Sequence, residues 1–580
     1  MLRFSLWIIL PLSLFCILSN SAEAGRKKSK RPNILFIYTD DHSHRTVSCY
    51  SEAYPWAKTP HIDALAKTGI RFRYAYIGTW CMPSRATILT GHHPYGVKTM
   101  RMEGEYPGST YDPKQCPFWP SVFRRFGYFM GMIGKWHTGV DAGWGRDWDF
   151  QKVWNRPKFP KNAGAYYRNQ LIETNGGKAK LTKGYATDNY TKWAVDFIKG
   201  KYRDKDKPWF LWVCYGAVHG PFTPAKRHME AYPNINVPTP RDIYPPRRGK
   251  PEYMQRMNKW RKNKDGQPEM RAGGFTALTV NTKGIHGNTL TDWVRQYHQG
   301  VLAIDEGVGQ LIAALKESGQ YENTLIIFTA DQGFAWGQHG FHTKLAPYDS
   351  NMRTPMIISM PSKLPQGKVC ETPVGGVDIA PTIFRFAKIK LPWKMHGHDL
   401  TPLLKNPKAS WRHPVLLTLV GRKYGADTNK VPTDAKVRDI AGVPWWVFLV
   451  KGKIKYIRTL VSGEIEELYD LENDPEELNN LALQPKYAKL LKKFRSATIA
   501  ELRRTGAGMV NNLPPVKDLH AKPQRDARRQ SDTSPLFGRL QLLDNPSQVT
   551  TFSRSCFLRF RECVPVFQRH SLERVDILVH

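Results

Sequence analysis

Four short, almost uninterrupted apolar runs constrain this chain more than any other feature: residues 33–39, 129–134, 208–215 and 324–329. Runs this short and this apolar suit strands buried on both faces, as in a parallel sheet covered on each side. Amphipathic helical patterns lie between them, at 59–69, 185–199 and 291–318. The alternation predicts an α/β fold in which helices flank a central, mostly parallel sheet. In such sheets ligands gather beyond the carboxyl ends of the strands. Just past the four runs stand Asp40-Asp41, Lys135-Trp136-His137, His219 and Asp331-Gln332. Polar clusters far apart in sequence are therefore expected to meet at one site.

The residue types in these clusters suggest a chemistry. Two adjacent carboxylates at a strand end are costly to bury unless a cation neutralises them. A hard divalent ion takes oxygen ligands of this kind. Asp331-Gln332 repeats the theme, because the Gln amide oxygen is also a hard ligand. Gly134-Lys135-Trp136-His137 offers a fixed cation and an imidazole able to move protons. His219 lies in Ala217-Val218-His219-Gly220-Pro221, and Lys344 closes Gly340-Phe341-His342-Thr343-Lys344. His339 and His342 are expected near the pocket without a catalytic role. Taken singly, each cluster also has a plain explanation, such as a solvated turn or a packed histidine.

The run from Cys81 to Gly91, Cys-Met-Pro-Ser-Arg-Ala-Thr-Ile-Leu-Thr-Gly, resembles the signature of the type I, formylglycine-dependent sulfatases of the alkaline phosphatase superfamily. The other clusters follow in that family's order, over residues 31–400 and on to about 515 through Leu468-Tyr469-Asp470-Leu471 and Asn473-Asp474-Pro475. The resemblance implies an alkaline-phosphatase-like large domain and a smaller C-terminal α+β domain with an antiparallel sheet. It implies that a formylglycine-generating enzyme oxidises Cys81, and that the hydrated aldehyde attacks the sulfur of a sulfate ester. One divalent metal ion, Ca²⁺ in preference to Mg²⁺, would be held by Asp40, Asp41, Asp331 and Gln332; many members carry Asn where this chain has Gln332. Arg85 and Lys135 would stabilise the hydrate, while Lys344 and His219 would bind the sulfate. His219 would protonate the leaving alcohol, and His137 would take a proton from the second hydroxyl.

Residues 1–24 resemble a secretory signal peptide, with Arg3, an apolar stretch and Ala22-Glu23-Ala24 as cleavage site. The stretch is short for a bilayer span and charges follow at once. A secreted or periplasmic protein without stable membrane insertion is expected. The expected organisation is a catalytic domain at 31–400, a C-terminal subdomain at 401–517 and a disordered tail at 518–580, with a long Pro- and Arg-rich insertion at 223–290. After Cys16 and Cys81, six irregularly spaced cysteines remain, and neither a disulfide framework nor a zinc site is expected. The net charge is +36, nearly all of it ahead of Asp518, which favours polyanions. No nucleic-acid motif accompanies it, so the expected substrate is a sulfated carbohydrate or other sulfate ester. Two rival readings remain: a phosphonate or phosphodiester hydrolase of the same superfamily, and a catalytically dead polyanion-binding protein.

Overall fold

A computed structural model describes residues 31–271, 287–432 and 440–520. The 1–24 leader, residues 272–286 of the insertion and the tail from 521 onward lie outside these residues. The strands that matter here are β1 (Asn33–Thr39), β2 (Ile70–Tyr76), β3 (Phe129–Trp136), β4 (Phe150–Asn155), β5 (Trp209–Cys214), β6 (Thr324–Ala330) and β7 (Thr354–Ser359). They belong to one eleven-stranded sheet, in the spatial order β2, β7, β6, β1, β5, β3, β4, with short strands at both edges. β1 pairs in parallel with β6 and β5, and β3 in parallel with β5 and β4. β7 runs antiparallel to β6 and β2. The sheet is therefore mixed but mostly parallel.

Period-two alternation explains why the central strands read as continuous apolar runs. Leu35, Ile37, Leu211, Val213, Ile326 and Phe328 face one layer, where α2 (Ala186–Ile198) and α3 (Leu290–Glu317) cover them. Ile34, Phe36, Phe210, Trp212, Leu325 and Ile327 face the other layer, covered by α4 (Ile379–Ala387) and the end of α1 (Cys81–Thr90). α3 starts with a reciprocal cap. The Thr289 hydroxyl accepts from the Asp292 N–H, and the Asp292 carboxylate accepts from the Thr289 N–H, each at 3.1 Å.

A separate four-stranded antiparallel sheet follows, in the order Val415–Leu419, Trp446–Lys451, Ile454–Thr459, Glu466–Asp470. Val447, Leu449, Tyr456 and Leu468 on one face pack against Leu491, Phe494 and Leu502 of the helix Ala488–Arg504. Trp446, Phe448 and Ile457 on the other face join Tyr76, Met82 and Ala86, which ties this sheet to α1. The insertion is less irregular than its composition suggests. It contains a hairpin of Trp260–Lys262 with Pro268–Met270. The buried Arg247 guanidinium donates to the carbonyls of Asp242, Ile243, Met254 and Met257 at 2.7–2.8 Å. One arginine thus satisfies backbone acceptors that a Pro-rich segment cannot pair in a sheet.

Gly134, within β3, has φ +105°, and a Cβ built on it would lie 2.1 Å from the Cys214 carbonyl oxygen. The next residue is Lys135. Gly134→Ala is expected to destabilise the fold by at least about 2 kcal/mol, combining left-handed strain with overpacking. A thermal melt coincident with wild type would contradict this.

Candidate active site

The parallel register assembles the site. Thr39 lies opposite Ala330 and Tyr38 opposite Cys214, while Gly134 also lies opposite Cys214. Asp40 and Asp331 therefore emerge side by side at the ends of the neighbouring strands β1 and β6, and Lys135 stands at the matching level on β3, beyond β5. Backbone bonds hold the ends together: the Asp331 N–H donates to the Thr39 carbonyl (3.2 Å), and the Asp40 N–H to the Ala217 carbonyl (3.0 Å). Asp41 is left-handed, with φ +54°, a conformation that must be held from outside for a non-glycine residue. Its N–H donates to Asp331 Oδ1 at 2.8 Å, and the Tyr297 hydroxyl donates to its carbonyl.

Cys81 is the first residue of α1, all ten residues of which are buried. A helix buried all round must satisfy its polar groups internally. The Ser84 hydroxyl donates to the Trp80 carbonyl and the Thr90 hydroxyl to the Ala86 carbonyl, both at 2.7 Å. Gly91 closes the helix in the left-handed region. The start of the helix, where the macrodipole favours negative charge, thereby reaches the strand ends. Cys81 Sγ lies 3.3 Å from Asp40 Oδ1 and 3.3 Å from Lys344 Nζ. Arg85, one turn along, donates to Asp40 Oδ2 and to the Lys135 carbonyl, each at 3.0 Å. Lys135 also pairs with Asp40, and Lys344 Nζ lies 2.6 and 2.9 Å from the Asp41 oxygens. His219 Nε2 is 3.7 Å from Asp41 Oδ2. Its Nδ1 donates to the Gly220 carbonyl at 2.8 Å, which leaves Nε2 as the atom that can gain a proton.

The oxygen-rich part of this cluster suits a hard cation. Asp40, Asp41, Cys81 and His219 present ligand atoms within 4.8 Å of one another. Asp331 Oδ2 and Gln332 Oε1 are buried and receive no hydrogen bond, although buried oxygens normally have a partner. Gln332 turns its amide nitrogen to Asp41. Three carboxylates and an amide fit a divalent ion of the Ca²⁺ or Mg²⁺ kind. The acidity of the group agrees. Burial, followed by the Asp40 and Asp41 charges, pushes Asp331 up to about 7. Burial outweighs Lys344 at Asp41, which is pushed up to about 6 with Asp40 adding to the rise. Burial would also raise Asp40, but Lys135 and Arg85 hold it well below the usual carboxylate range.

Burial, then Asp40, pushes the Cys81 thiol up to about 12. His137 and His219 are both driven well below the ordinary imidazole range by burial, then by Arg156 and by Lys344 respectively. Both imidazoles are thus neutral at pH 7, and each can accept a proton.

All ten residues singled out from the sequence lie in or against this cluster. His137 stands somewhat apart, its ring nitrogens 3.0 and 3.3 Å from Arg156 Nη1. His342 lines a pocket together with Asp41, His219, Lys344, Phe222, Trp293 and Phe334. His339 turns away to Asp242, at 2.6 Å. Sequence reasoning missed Arg156 and Tyr166. Arg156 directly follows β4, the same strand-end position that marked the other clusters, and could have been found by that rule. The Tyr166 ring stacks on His219 at 3.9 Å, and nothing in its sequence neighbourhood signals this.

Comparison with known proteins adds an independent line. A family model described as Sulfatase matches residues 32–389, and one described as N-sulphoglucosamine sulphohydrolase, C-terminal, matches 337–505. The N-acetylglucosamine-6-O-sulfatase of Bacteroides thetaiotaomicron is 30% identical over 84% of this chain and 89% of its own length. A solved structure in complex with its substrate D-glucosamine-2-N,6-O-disulfate superposes with a TM-score of 0.67 and 26% identity, covering 82% of this chain and 98% of that one. The phosphonate monoester hydrolase of Silicibacter pomeroyi shares the fold, with a TM-score of 0.62 at 20% identity, covering 83% of this chain and 97% of that one.

With its acidity at about 12, the unmodified Cys81 thiol is only about 10⁻⁴ ionised at pH 8. Iodoacetamide is expected to leave it intact in the native protein and to label it after denaturation. Rapid labelling of native Cys81 would overturn the electrostatic account.

Proposed function

The chain belongs to the sulfatase family and is a sulfuric ester hydrolase, and we propose that it removes sulfate from sulfated sugars at a site centred on position 81 after conversion of Cys81 to formylglycine. The observation that carries this reading is the placement of Cys81, 3.3 Å from both Asp40 and Lys344 at a helix start. A thiol held at about 12 by burial and Asp40 is a poor nucleophile there. A hydrated aldehyde at position 81 would supply two hydroxyls, one to attack sulfur and one whose deprotonation expels the sulfate and restores the aldehyde. A serine could take up the sulfuryl group but would lack that route of release.

The remaining roles belong to groups already in place. Lys344 and the start of α1 would meet the anionic oxygens of the ester. Lys135 and Arg85 would stabilise negative charge at position 81. His219 Nε2 would carry the proton to the leaving alcohol oxygen, since an arriving anion favours the charged imidazole that burial and Lys344 otherwise suppress. His137, neutral and anchored by Arg156, would accept the proton from the second hydroxyl. Asp40, Asp41, Asp331 and Gln332 would hold a divalent ion, with Ca²⁺ favoured because Mg²⁺ usually keeps several waters and takes only one or two carboxylates, and that ion would supply Lewis-acid polarisation. Phe222, Trp293 and Phe334 form an apolar wall suited to the face of a sugar ring.

The N-acetylglucosamine-6-O-sulfatase relative and the disulfated glucosamine complex support an amino-sugar sulfate as substrate. The phosphonate hydrolase likeness is one of fold, and relative rates on sulfate and phosphonate esters separate the two chemistries. Among the described residues no helix is long and apolar enough to cross a membrane. The leader pattern at 1–24 supports export to the periplasm or the medium.

Peptide mass spectrometry of the fragment containing position 81, after expression with a formylglycine-generating enzyme, is expected to show the aldehyde. The modified protein should hydrolyse sulfated glucosamine, and Cys81→Ala should abolish turnover. His219→Ala is expected to lower kcat about 100-fold or more on sugar sulfates. An unmodified thiol with full activity would sink the reading. N-terminal sequencing of exported protein should begin at Gly25; an intact leader would contradict the export proposal.

A further inference from the structure

Arg156 is only 4% exposed, yet no carboxylate lies within ion-pairing distance of it among the described residues. Its Nε donates to the Ala163 carbonyl at 2.9 Å, and Nη1 donates to His137. Nη2 makes no hydrogen bond within the described residues. The guanidinium carbon sits 4.9 Å from the centre of the Tyr166 ring. The Tyr166 hydroxyl is likewise buried and has no partner. A buried uncompensated charge costs several kcal/mol, and an orphaned hydroxyl adds to that. An arginine without a carboxylate partner and an orphaned hydroxyl, on side chains packed together and against the two proton-carrying histidines, point to a ligand that pairs with both.

A positioning role alone does not explain the charge. A neutral amide could hold the His137 ring equally well. A cation beside an imidazole that must accept a proton works against that step. The charge balance of the whole site points the same way. Asp40, Asp41 and Asp331 stand against Arg85, Lys135, Lys344 and Arg156. A divalent ion adds further positive charge, and one sulfate monoester contributes a single negative charge. The site remains strongly cationic with such an ester bound. Tyr106, 49% exposed, has its ring 6.2 Å from that of His137, so a surface side chain packs against the buried group.

We propose that Arg156 and the Tyr166 hydroxyl form a second anion subsite, so that the preferred substrates carry another anionic group, a sulfate or a carboxylate, beside the ester that is cleaved. This rests on the sulfatase reading of the site. Arg156 donates through Nη2 and Tyr166 through its hydroxyl, and the anion compensates the positive charge that otherwise opposes protonation of His137.

The test compares three probes: N-acetylglucosamine 6-O-sulfate, glucosamine 2-N,6-O-disulfate, and a disaccharide joining the first to a uronic acid. kcat/KM is measured for wild type, Arg156→Gln and Arg156→Lys. Wild type is expected to prefer a doubly anionic probe, and which of the two it prefers distinguishes sulfate from carboxylate. Arg156→Gln should reduce that preference at least about 30-fold, and Arg156→Lys should restore part of it. Calorimetric binding of the same sugars to Cys81→Ala protein reads the discrimination without turnover and should lose it equally with Arg156→Gln. If Arg156→Gln fails to fold, Tyr166→Phe removes only the hydroxyl and should lower the preference about 3- to 10-fold. No preference in wild type, or an equal loss on all three probes, would overturn the subsite. Failure to cleave any sulfate ester while binding still discriminates would instead defeat the sulfatase reading.

Discussion

Asp40 is the group on which the site depends. It is wholly buried at the end of the central strand and touches the side chains of Cys81, Arg85 and Lys135. Those three residues arise from a helix start, the next turn of that helix and a strand two places away. A buried carboxylate is tolerable only because two cations meet it, and those cations stay buried only because the carboxylate is there. The cluster is therefore mutually required, and it locks α1 onto the sheet in one orientation.

The second sheet supports this arrangement from behind. Lys455, fully buried, bonds Asp349 at 2.8 Å and Glu477 at 2.9 Å, and the Tyr76 hydroxyl donates to Asp349 at 2.9 Å. Lys250 of the insertion reaches the Tyr469 hydroxyl at 2.8 Å. Segments distant in sequence thus share one buried polar network, with Trp446, Phe448 and Met82 packed around it. Removing one member would leave an uncompensated buried charge, so the C-terminal segment acts as part of the scaffold that positions α1. The Arg156–Tyr166 pair is the opposite case: a buried cation and a hydroxyl whose compensation does not come from the described residues, which is why it reads as a place for a ligand.

Much of the fold was legible because its signals are local. The apolar runs at 33–39 and 324–329 became β1 and β6 within a residue, and the pattern at 291–318 became α3 because amphipathic periodicity and the Thr289 cap agree. β2 and β7 were not recognised: Ile70–Tyr76 alternates with arginines, and Thr354–Ser359 follows a turn-rich stretch. Nothing in β7 announces that it runs antiparallel. The insertion read as irregular because the hydrogen bonds that organise it come from one arginine side chain rather than from a repeating pattern.

By itself the sequence determined the chemistry available: which carboxylates, lysines and histidines follow buried strands. Those facts need only local propensity and the rule that parallel strands present their carboxyl ends together. Tertiary structure alone decided which groups meet. The pairing of Thr39 with Ala330 sets Asp40 beside Asp331, the left-handed turn at Asp41 aims its carboxylate at Lys344, and the stacking of Tyr166 on His219 joins residues 53 positions apart. Such contacts depend on register and packing between distant segments, and burial sets the acidity of Cys81, Asp331 and the two histidines; neither is encoded in any short stretch of chain.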